Sequence, residues 1–407
     1  MACGQSGSPI FSFGVDCVQL PWQGASVKEN VTITCAKGVA PILASELRAL
    51  GLEPTSEDVA AVTVDADIQQ QMRLLLRLRS AHRILVPLIT CLARSPQELT
   101  RRIADFHWED HFGPDGYVRI HGYVHNEEIR DQRFAFLTVK DAVMDRLRDK
   151  YGRRPDSGPS DHGSSIYIHW LYEEVTISLD LAGAPLSRRG YRSRAGEAPL
   201  QEALAAAMLL AGGWPKDVAL CNPMGGSGTI AIEAAWLAQN RAPGLLRDHF
   251  GLFSLKRFQP MLWQKEVEAA ESEIIPEWEV PVIICSDFDR DVIEIAKMNA
   301  KDAGVEKLIQ FEVCDFRETP VPEGEAWVVI NPPYGIRLEE EDLTGLYQDI
   351  GQWLKSLDRK GQGLVITANL PLAKRFGLKL AQKHTLYNGP LECRLLGFEL
   401  QKPEAKA

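Results

Sequence analysis

The chain has 407 residues and a mass of 45.3 kDa, so more than one compact core is expected. Its composition, 45% hydrophobic and 25% charged, is typical of globular proteins, and no apolar run is long enough to span a bilayer. The formal net charge of −10 excludes a protein that coats nucleic acid indiscriminately, although local basic patches remain possible. Residues 1–29 are rich in Gly and Ser and lack the pattern of a secretion signal, so we expect a disordered tail and a cytoplasmic protein without membrane contact.

The cysteines are spread along the chain without the close pairs that zinc or redox sites need. We expect them to be small buried hydrophobic residues in a reducing compartment, and we expect no bound metal. They are Cys3, Cys17, Cys35, Cys91, Cys221, Cys285, Cys314 and Cys393.

Small strand-like and helical segments alternate between about residues 30 and 185. The strand-like segments are VTITC, ILVPLIT, YVRIHGYV, SSIYIHWLY and EEVTISLDLAG, and the helical ones are AKGVAPILASELRALGL, IQQQMRLLLRLRSAHRI, SPQELTRRIADF and TVKDAVMDRLRDKYG. Alternation in small units of this kind predicts an α+β region.

The segment APLSRRGYRSRAGEAP, residues 184–199, has the Pro, Gly and Ser content of a linker. It carries Arg188, Arg189, Arg192 and Arg194. Two interpretations stay open, a solvated flexible connector and a hinge that contacts phosphates.

Beyond this segment, near-continuous apolar runs alternate with helices. The runs are DVALCN, VPVIICSD, LIQFEVCD and AWVVIN, and the helices are LQEALAAAMLLAGG, TIAIEAAWLAQN, RDVIEIAKMNAKDAG and LTGLYQDIGQWLKSL. This pattern predicts a parallel sheet that is covered on both faces. Ligands of such sheets bind at the carboxyl ends of the strands, where each of these runs has a polar residue.

The first strand end continues into a glycine-rich loop, NPMGGSGT, which leads to a helix that begins at Thr229. The loop lacks the G-x-G-x-x-G spacing of a nicotinamide dinucleotide site, and the second strand arrives late, after the insertion APGLLRDHFGLFSLKRFQPMLWQ. Asp287 can hold a ribose and Asp315 an adenine amino group, so a nucleoside ligand is favoured. The alternative for either aspartate is a helix N-cap.

The fourth strand ends in Asn331, Pro332, Pro333 and Tyr334. The two prolines fix φ and remove two backbone donors, so the turn is stiff and presents acceptors, namely the Asn331 side-chain oxygen and backbone carbonyls. Such acceptors can hold the two N–H groups of a planar exocyclic amine, and Tyr334 can stack on an extruded base. The motif predicts an amine-binding site, and the alternative is a turn that only ends the strand.

The order of NPMGGSGT, SDFD, CDF and NPPYG resembles that of class I S-adenosyl-L-methionine-dependent methyltransferases that modify exocyclic amines of nucleic-acid bases. Longer segments look like the bacterial 23S rRNA guanine-N2 methyltransferase family, whose fused members contain the same unit as the N-terminal half of a bifunctional enzyme. These segments are VTITCAKGVAPILASELRALG, TVKDAVMDRLRDKYGRRPD, VTISLDLAGAPLSRRGYRSRAGEAPLQEALAAAML, RAPGLLRDHFG and YNGPLECRL, and the resemblance runs from about residue 30 to 400.

The resemblance implies an α/β fold, with a Rossmann-like class I methyltransferase domain behind an N-terminal α+β ferredoxin-like and THUMP RNA-binding region. The implied boundaries are 1–29 for the tail, 30–90 for the ferredoxin-like lobe, 91–185 for the THUMP domain and 186–407 for the methyltransferase domain.

The same resemblance implies S-adenosyl-L-methionine as the cofactor. Gly226, Gly228 and Thr229 would line its methionine end, Asp287 would hold its ribose and Asp315 its adenine. The full implied cofactor set is Asn222, Pro223, Gly226, Ser227, Gly228, Thr229, Asp287, Phe288, Asp315, Phe316 and Asn331, and the implied catalytic set that takes the guanine is Asn331, Pro332, Pro333 and Tyr334.

The chain departs from the family pattern Asp-Pro-Met-Cys-Gly-Ser-Gly-Thr at two positions, where Asn222 and Gly225 replace the Asp and the Cys. Loss of a carboxylate near the ammonium of the cofactor predicts weaker binding, because a charged hydrogen bond contributes about 1.5–3 kcal/mol.

We expect direct displacement, in which the guanine N2 attacks the sulfonium methyl group in line, without a metal or a covalent enzyme intermediate. The expected partner is RNA, either 23S rRNA or its ribosomal precursor, and a monomer is favoured. Expected RNA contacts are Lys140, Arg146, Arg148, Arg153 and Arg154, together with the four arginines of residues 184–199.

Three alternatives remain open. A tRNA guanine-N2 methyltransferase would use the same domains. DNA amino-methyltransferases share Asn-Pro-Pro-Tyr but leave the N-terminal lobes unexplained. A non-catalytic RNA-binding relative is consistent with Asn222 and Gly225.

Overall fold

A computed structural model of the chain describes residues 18–19, 27–158, 163–192, 200–333, 340–357 and 359–400. The strands are β1 (Val18–Gln19), β2 (Glu29–Cys35), β3 (Pro54–Asp58), β4 (Ala61–Ala66), β5 (Ala81–Leu92), β6 (Tyr117–His125), β7 (Asp156–Ser157), β8 (Ser164–Leu171), β9 (Glu174–Asp180), β10 (Ala219–Pro223), β11 (Ile283–Asp287), β12 (Ile309–Val313), β13 (Ala326–Ile330), β14 (Gln362–Thr367), β15 (Leu380–Asn388) and β16 (Leu391–Glu399). The α-helices are α1 (Ala40–Ala49), α2 (Ile68–Arg77), α3 (Pro96–Ile103), α4 (Gln132–Tyr151), α5 (Glu202–Gly212), α6 (Thr229–Ala238), α7 (Pro260–Ser272), α8 (Arg290–Asp302), α9 (Glu340–Ser356) and α10 (Leu370–Ala373).

The chain forms two compact units. Unit 1 contains residues 1–24, 85–183 and 251–258, and unit 2 contains residues 25–84, 184–250 and 259–407. The segment 251–258 lies within the insertion that delays the second strand, and Leu252 N–H donates to the Leu181 carbonyl at 3.0 Å within unit 1. The boundaries 1–29, 30–90, 91–185 and 186–407 stay a prediction.

Unit 1 is built on one sheet with the strand order β5-β9-β8-β6-β7, and β1 pairs with β5. β6 and β8 run parallel, whereas β8 and β9 run antiparallel. Helix α4 begins after Asp131, whose carboxylate accepts a hydrogen bond from the Arg133 backbone N–H. It ends at Gly152, which has a φ of 72°, a left-handed conformation that glycine adopts more easily than other residues.

Unit 2 opens with the element order β-α-β-β-α-β, formed by β2, α1, β3, β4, α2 and the start of β5, which is the ferredoxin-like pattern. Helix α2 has a full capping box between Asp67 and Gln70. Its outer arginines pair with helix α7 and the residue that follows it, at 3.0 Å between Arg73 Nε and Glu266 Oε2 and 2.5 Å between Arg77 Nη1 and Glu273 Oε2. These pairs hold the ferredoxin-like elements against the remainder of unit 2.

The second sheet of the chain has the order β12-β11-β10-β13-β14-β16-β15. Its first five strands are parallel, as the apolar runs predict, while β16 and β15 are antiparallel. The strands β3, β4, β14, β15 and β16 and the helix α7 were not anticipated. A core of buried side chains lies between β13, β14, β16 and helix α9, where the Tyr347 and Phe376 rings stack at 5.0 Å.

The solvated-connector interpretation of residues 184–199 is wrong for the part that the structure describes, residues 184–192. Arg189 and Tyr191 are buried, and the Arg189 guanidinium donates to the carbonyls of Leu186 and Arg79 and lies 3.3 Å from Glu233 Oε1. Burial raises the pKa of Glu233, and the charges of Arg189 and Arg79 oppose that rise. This segment therefore anchors α6 instead of linking domains loosely.

Five of the cysteines within the described ranges are buried, as predicted, and Cys314 is half-buried. The five are Cys35, Cys91, Cys221, Cys285 and Cys393, and none of the six forms a disulfide with another described residue. Burial raises the pKa of the Cys35, Cys221 and Cys285 thiols to about 12, so these three remain neutral at physiological pH. Within the same ranges, no helix combines the length and the apolar character needed to cross a membrane.

Candidate active site

The predicted site residues lie where parallel strands of unit 2 end. β10 lies between β11 and β13, with Cys221 opposite Ile284 on one side and Val328 on the other. Since the carboxyl ends of parallel strands meet at the same edge, the glycine loop after β10, Asp287 of β11 and Asn331 after β13 share that edge.

The glycine loop is held by backbone bonds from both directions. Gly225 N–H donates to the Ser286 carbonyl at 2.9 Å, and Gly226 N–H donates to Asp287 Oδ2 at 3.0 Å. Gly226 and Gly228 have φ values of 55° and 82°, and Gly228 is the N-cap of α6. The loop therefore ends at the N-terminus of α6, where unpaired backbone N–H groups favour the binding of negatively charged or electron-rich ligand groups.

Gly225 is matched to a cysteine on the neighbouring strand. A Cβ added at Gly225 would lie 2.5 Å from Cys285 Sγ, so a side chain at position 225 would require the Cys285 side chain to shift. Glycine at position 225 therefore leaves room for the Cys285 thiol.

Asn222 is fully buried at the end of β10. Its Nδ2 donates to the Val329 carbonyl at 2.8 Å, which ties β10 to β13, and its Oδ1 is buried without a hydrogen-bond partner among the described residues. A buried unpaired acceptor is costly unless a ligand or water supplies a donor. Asn222 therefore keeps an acceptor in the place where the family has a carboxylate.

Asp287 and Phe288 form the end of β11. The Asp287 carboxylate accepts from the Gly226 N–H through Oδ2 and from the Asp289 N–H through Oδ1, at 3.2 Å. The Phe288 side chain is 79% exposed, which is unusual for an aromatic ring at a strand end. A carboxylate beside an exposed ring is a suitable arrangement for a ribose and a base.

Asp315 and Phe316 fit the predicted adenine site less well. Asp315 caps a short 3-10 turn by accepting from the Arg317 N–H at 2.9 Å, which is the N-cap alternative, and its carboxylate also pairs with Arg317 at 3.5 Å. Phe316 is buried and packs edge-to-face on Trp353 at 5.7 Å. Phe316 is thus mainly a core residue, and its cofactor contact stays a prediction.

Asn331, Pro332 and Pro333 end β13 as the motif predicts, and Tyr334 lies outside the described residues. The Asn331 Oδ1 is buried and has no hydrogen-bond partner among the described residues. The Tyr347 hydroxyl, 2.7 Å from Thr367 Oγ1, donates to the Pro333 carbonyl at 3.4 Å. Tyr347 and Thr367 support this turn, and sequence reasoning missed both because they come from α9 and β14.

Two arginines predicted to contact RNA have other roles. Arg189 is 2% exposed, so its guanidinium cannot reach an RNA phosphate and that prediction is wrong. Arg192 is 13% exposed and donates to Thr229 Oγ1 at 2.8 Å and to the Leu200 carbonyl at 2.7 Å, which corrects its assignment to an RNA surface. Arg192 supports the first residue of α6, next to the glycine loop. Arg188 is exposed and stays a prediction, and Arg194 lies outside the described residues.

A second supporting residue that the sequence did not reveal is Asn299 of α8. Its Nδ2 donates to the Ser227 carbonyl at 3.0 Å, and Ser227 Oγ lies 3.4 Å from Thr229 Oγ1. Asn299 is buried, so this hydrogen bond fixes the glycine loop to helix α8.

The cations predicted on and after helix α4 of unit 1 are all engaged with carboxylates. The pairs are Arg146 with Glu109 at 2.7 Å, Arg148 with Asp145 at 3.1 Å, Arg153 with Asp115 at 2.8 Å, Arg154 with Asp141 at 2.7 Å, and Lys140 with Asp141 at 3.8 Å. A phosphate would have to compete with these carboxylates, and the RNA contacts of these residues stay a prediction.

In this parallel sheet the first strand ends in a glycine loop, the second in an acid and the fourth in Asn-Pro-Pro. This arrangement is that of a class I S-adenosyl-L-methionine-dependent methyltransferase. Comparison with known families agrees. The model described as RMKL-like, methyltransferase domain, matches residues 189–396, the RlmL ferredoxin-like domain matches residues 30–85, and the THUMP domain matches residues 93–180. The chain belongs to this RMKL-like methyltransferase family, and its cofactor is S-adenosyl-L-methionine.

Individual relatives support the same family. The Ribosomal RNA large subunit methyltransferase K/L of Syntrophotalea carbinolica is 38% identical over 377 residues, which is 90% of this chain and 53% of that protein. The chain therefore spans about half the length of the curated relatives it matches.

Two solved structures are similar over nearly the whole chain. A methyltransferase in complex with SAH has a TM-score of 0.83 and 27% identity, with 93% of this chain and 100% of that chain covered. A predicted N6-adenine-specific DNA methylase from Listeria monocytogenes has a TM-score of 0.80 and 30% identity, with 91% and 96% covered.

Proposed function

We propose that this chain is an RNA methyltransferase that transfers a methyl group from S-adenosyl-L-methionine to the exocyclic N2 amine of a guanine in 23S rRNA, in the cytoplasm. The observation that carries the proposal is the buried Asn331 Oδ1, which has no hydrogen-bond partner among the described residues and follows β13, the strand that pairs with β10. The printed name of the relatives, a methyltransferase of the large-subunit ribosomal RNA, supports RNA as the substrate.

The residues at the sheet edge fit the cofactor. Asp287 would hold the ribose hydroxyls, the exposed Phe288 ring would lie against the adenine, and Gly226, with open space where its Cβ would be, allows close backbone approach. The buried Asn222 Oδ1 offers an acceptor to the ammonium group. When bound, S-adenosyl-L-methionine supplies a methyl group that is already activated by the positive sulfonium.

The turn after β13 would orient the amine. Asn331 Oδ1 accepts one N–H of the guanine amine, and a backbone carbonyl of the stiff Asn-Pro-Pro turn accepts the other. The Tyr347 hydroxyl holds the Pro333 carbonyl and so fixes the turn. Positioning of this kind supplies most of the rate when the reacting partner needs no further activation.

The same turn also suits an adenine amine or a guanine in tRNA, so the test must separate these substrates. We would label 23S rRNA, tRNA and DNA separately with methyl-tritiated cofactor, and then repeat the reaction on rRNA transcripts in which inosine replaces guanosine. Inosine lacks the 2-amino group, so we expect labelling of rRNA alone and none of the inosine transcripts. Labelled inosine transcripts, or labelled DNA or tRNA, would contradict the proposal.

A non-catalytic role is the second candidate, because Asn222 lacks the family's carboxylate. Calorimetric titration with S-adenosyl-L-methionine tests it, with Asp287→Ala as the comparison. We expect wild-type binding that Asp287→Ala abolishes, whereas a wild type that binds no cofactor, even with RNA present, would favour an RNA-binding protein without activity.

A further inference from the structure

One face of the unit 1 sheet carries a row of aromatic side chains. β6 and β8 pair in parallel, with His121 opposite Tyr167 and Tyr123 opposite His169. Because side chains alternate along a strand, every second residue of β6 faces the same way as its partner in β8. The rings that these strands place on this face are His121, Tyr123, His125, Tyr167 and His169, and Tyr172, which directly follows β8, packs against His125. We name these six rings the aromatic face.

The rings form three neighbouring pairs. His121 and Tyr167 meet edge-to-face at 5.2 Å, Tyr123 and His169 lie nearly parallel at 6.1 Å and 24°, and His125 meets Tyr172 edge-to-face at 5.5 Å. Their exposure rises along the row. His121 is held by Ser165 Oγ at 2.7 Å and Asp180 Oδ2 at 3.2 Å, whereas Tyr123 and Tyr172 are 50% and 58% exposed.

The other face of the same strands is the core of unit 1. Val118, Ile166, Ile168 and Trp170, which alternate with the rings, are fully buried. The exposed rings are therefore not required for the packing of the unit. Four of the six rings, those of Tyr123, His125, His169 and Tyr172, are exposed, and a contiguous exposed patch of this kind indicates a binding surface.

The chemistry of the patch favours nucleobases over a protein surface. Its groups are flat rings with polar edges, namely phenol hydroxyls and imidazole nitrogens, and flat rings of this kind stack with any base. Arg119 lies on the same face, opposite Ser165, and adds a positive charge suited to a backbone phosphate.

We propose that the aromatic face binds unpaired bases of the RNA substrate by stacking, with Tyr123 and His169 as its centre. This inference rests on the proposed function, because it assigns part of the RNA contact to a named surface. Unpaired bases expose the π-faces that stacking needs, while bases in a duplex are already stacked on each other. The face therefore selects single-stranded segments over duplex.

The test compares binding of two RNAs of about a dozen nucleotides, a fluorescein-labelled unstructured oligoadenylate and a duplex of equal length, by fluorescence anisotropy with the full chain. For Tyr123→Ala combined with His169→Ala, we expect a loss of single-strand affinity of roughly 20-fold or more, since one stacked base contributes about fivefold to 100-fold. Tyr123→Phe keeps the ring and should retain most of the affinity.

The matched control is Phe134→Ala, which removes a ring that is 53% exposed on helix α4 of the same unit. It should leave the affinity for the single strand unchanged. Cofactor titration and circular dichroism of the double variant should match the wild type, because neither residue belongs to the strand ends of unit 2 that are proposed to hold the cofactor.

Unchanged single-strand affinity in the double variant, an equal loss for the duplex, or an equal loss in Phe134→Ala would overturn the inference. So would a wild-type dimer in sedimentation that the double variant lacks, because a second copy would then cover the face. If the wild type methylates no RNA but its oligonucleotide binding depends on the rings, the proposed function is wrong and this inference stands. If the wild type methylates rRNA and its oligonucleotide binding does not depend on the rings, this inference is wrong and the proposed function stands.

Discussion

The strand-end edge in unit 2 and the aromatic face in unit 1 both display polar and aromatic groups, but they are built differently. The edge is assembled from residues that immediately follow strands, and backbone bonds such as Gly226 N–H to Asp287 Oδ2 hold them. The face is assembled from alternate residues inside β6 and β8, and only the pairing register brings them together. Strand ends can be read from a sequence as motifs, whereas a face becomes visible only when the strand partners are known.

The largest effect on activity should come from removing the acceptor of Asn331 at the strand-end edge. Asn331→Ala removes the Oδ1 proposed to hold the amine, and we expect kcat to fall by about 100- to 1,000-fold while cofactor affinity changes little. Steady-state labelling of rRNA and calorimetry would measure the two quantities. Equal losses in both would place Asn331 in cofactor binding instead.

A substitution at Gly122 should disrupt the aromatic face. Gly122 lies between His121 and Tyr123 and has a φ of 155°. A Cβ there would overlap the carbonyl oxygen of Ile168 on β8, so Gly122→Ala should cost about 3 kcal/mol and separate the two strands. Hydrogen exchange of the β6 and β8 amides would report this loss. Gly116→Ala, whose nearest described contact is the Gly113 carbonyl at 3.3 Å, is a milder change in the same unit.

The helix behind the face depends on an ion pair whose strength varies with pH. The hydrogen bond from Arg146 holds the pKa of Glu109 at about 2, below its ordinary 4.5. A lowered pKa stabilises the fold above the ordinary value, and this contribution is lost as the pH falls from about 4.5 towards 2. Glu109→Gln should therefore cost about 2 kcal/mol at neutral pH and progressively less on acidification.

Hydrogen exchange in α4, measured at several pH values, would show this convergence of variant and wild type. A difference that stays constant down to pH 3 would mean that shape, and not charge, sets the contribution of Glu109.

The smallest effect is expected on stability, at the contact between Gly225 and Cys285 in the strand-end edge. Gly225→Ala should cost about 1–2 kcal/mol through overlap with Cys285 Sγ, and Cys285→Gly in the same chain should recover most of it. Thermal unfolding of the two single variants and the double variant gives the coupling between them. Purely additive costs would show that the two positions do not share space.

Much of the fold follows from sequence patterns, and the exceptions have physical causes. The parallel strands β10 to β13 are buried on both faces, so their apolar runs stand out, whereas β15 has many exposed residues and gives no such signal. The strand-end motifs placed Asp287 and Asn331 at the carboxyl ends of parallel strands, where the structure has them, and Asp287 accepts from the Gly226 N–H of the glycine loop, while their contacts with cofactor and substrate stay predictions. Arg189 and Arg192 were misassigned because composition does not distinguish a solvated arginine from one whose hydrogen-bond partners come from distant parts of the chain.

The close approach of Gly225 to Cys285 also bears on which side chains the two positions can carry together. A Cβ at position 225 would lie 2.5 Å from Cys285 Sγ, so a side chain there requires the thiol to move or to become smaller. Variant libraries of this strand end should therefore change the two positions together, because a single change at position 225 carries the cost of the overlap.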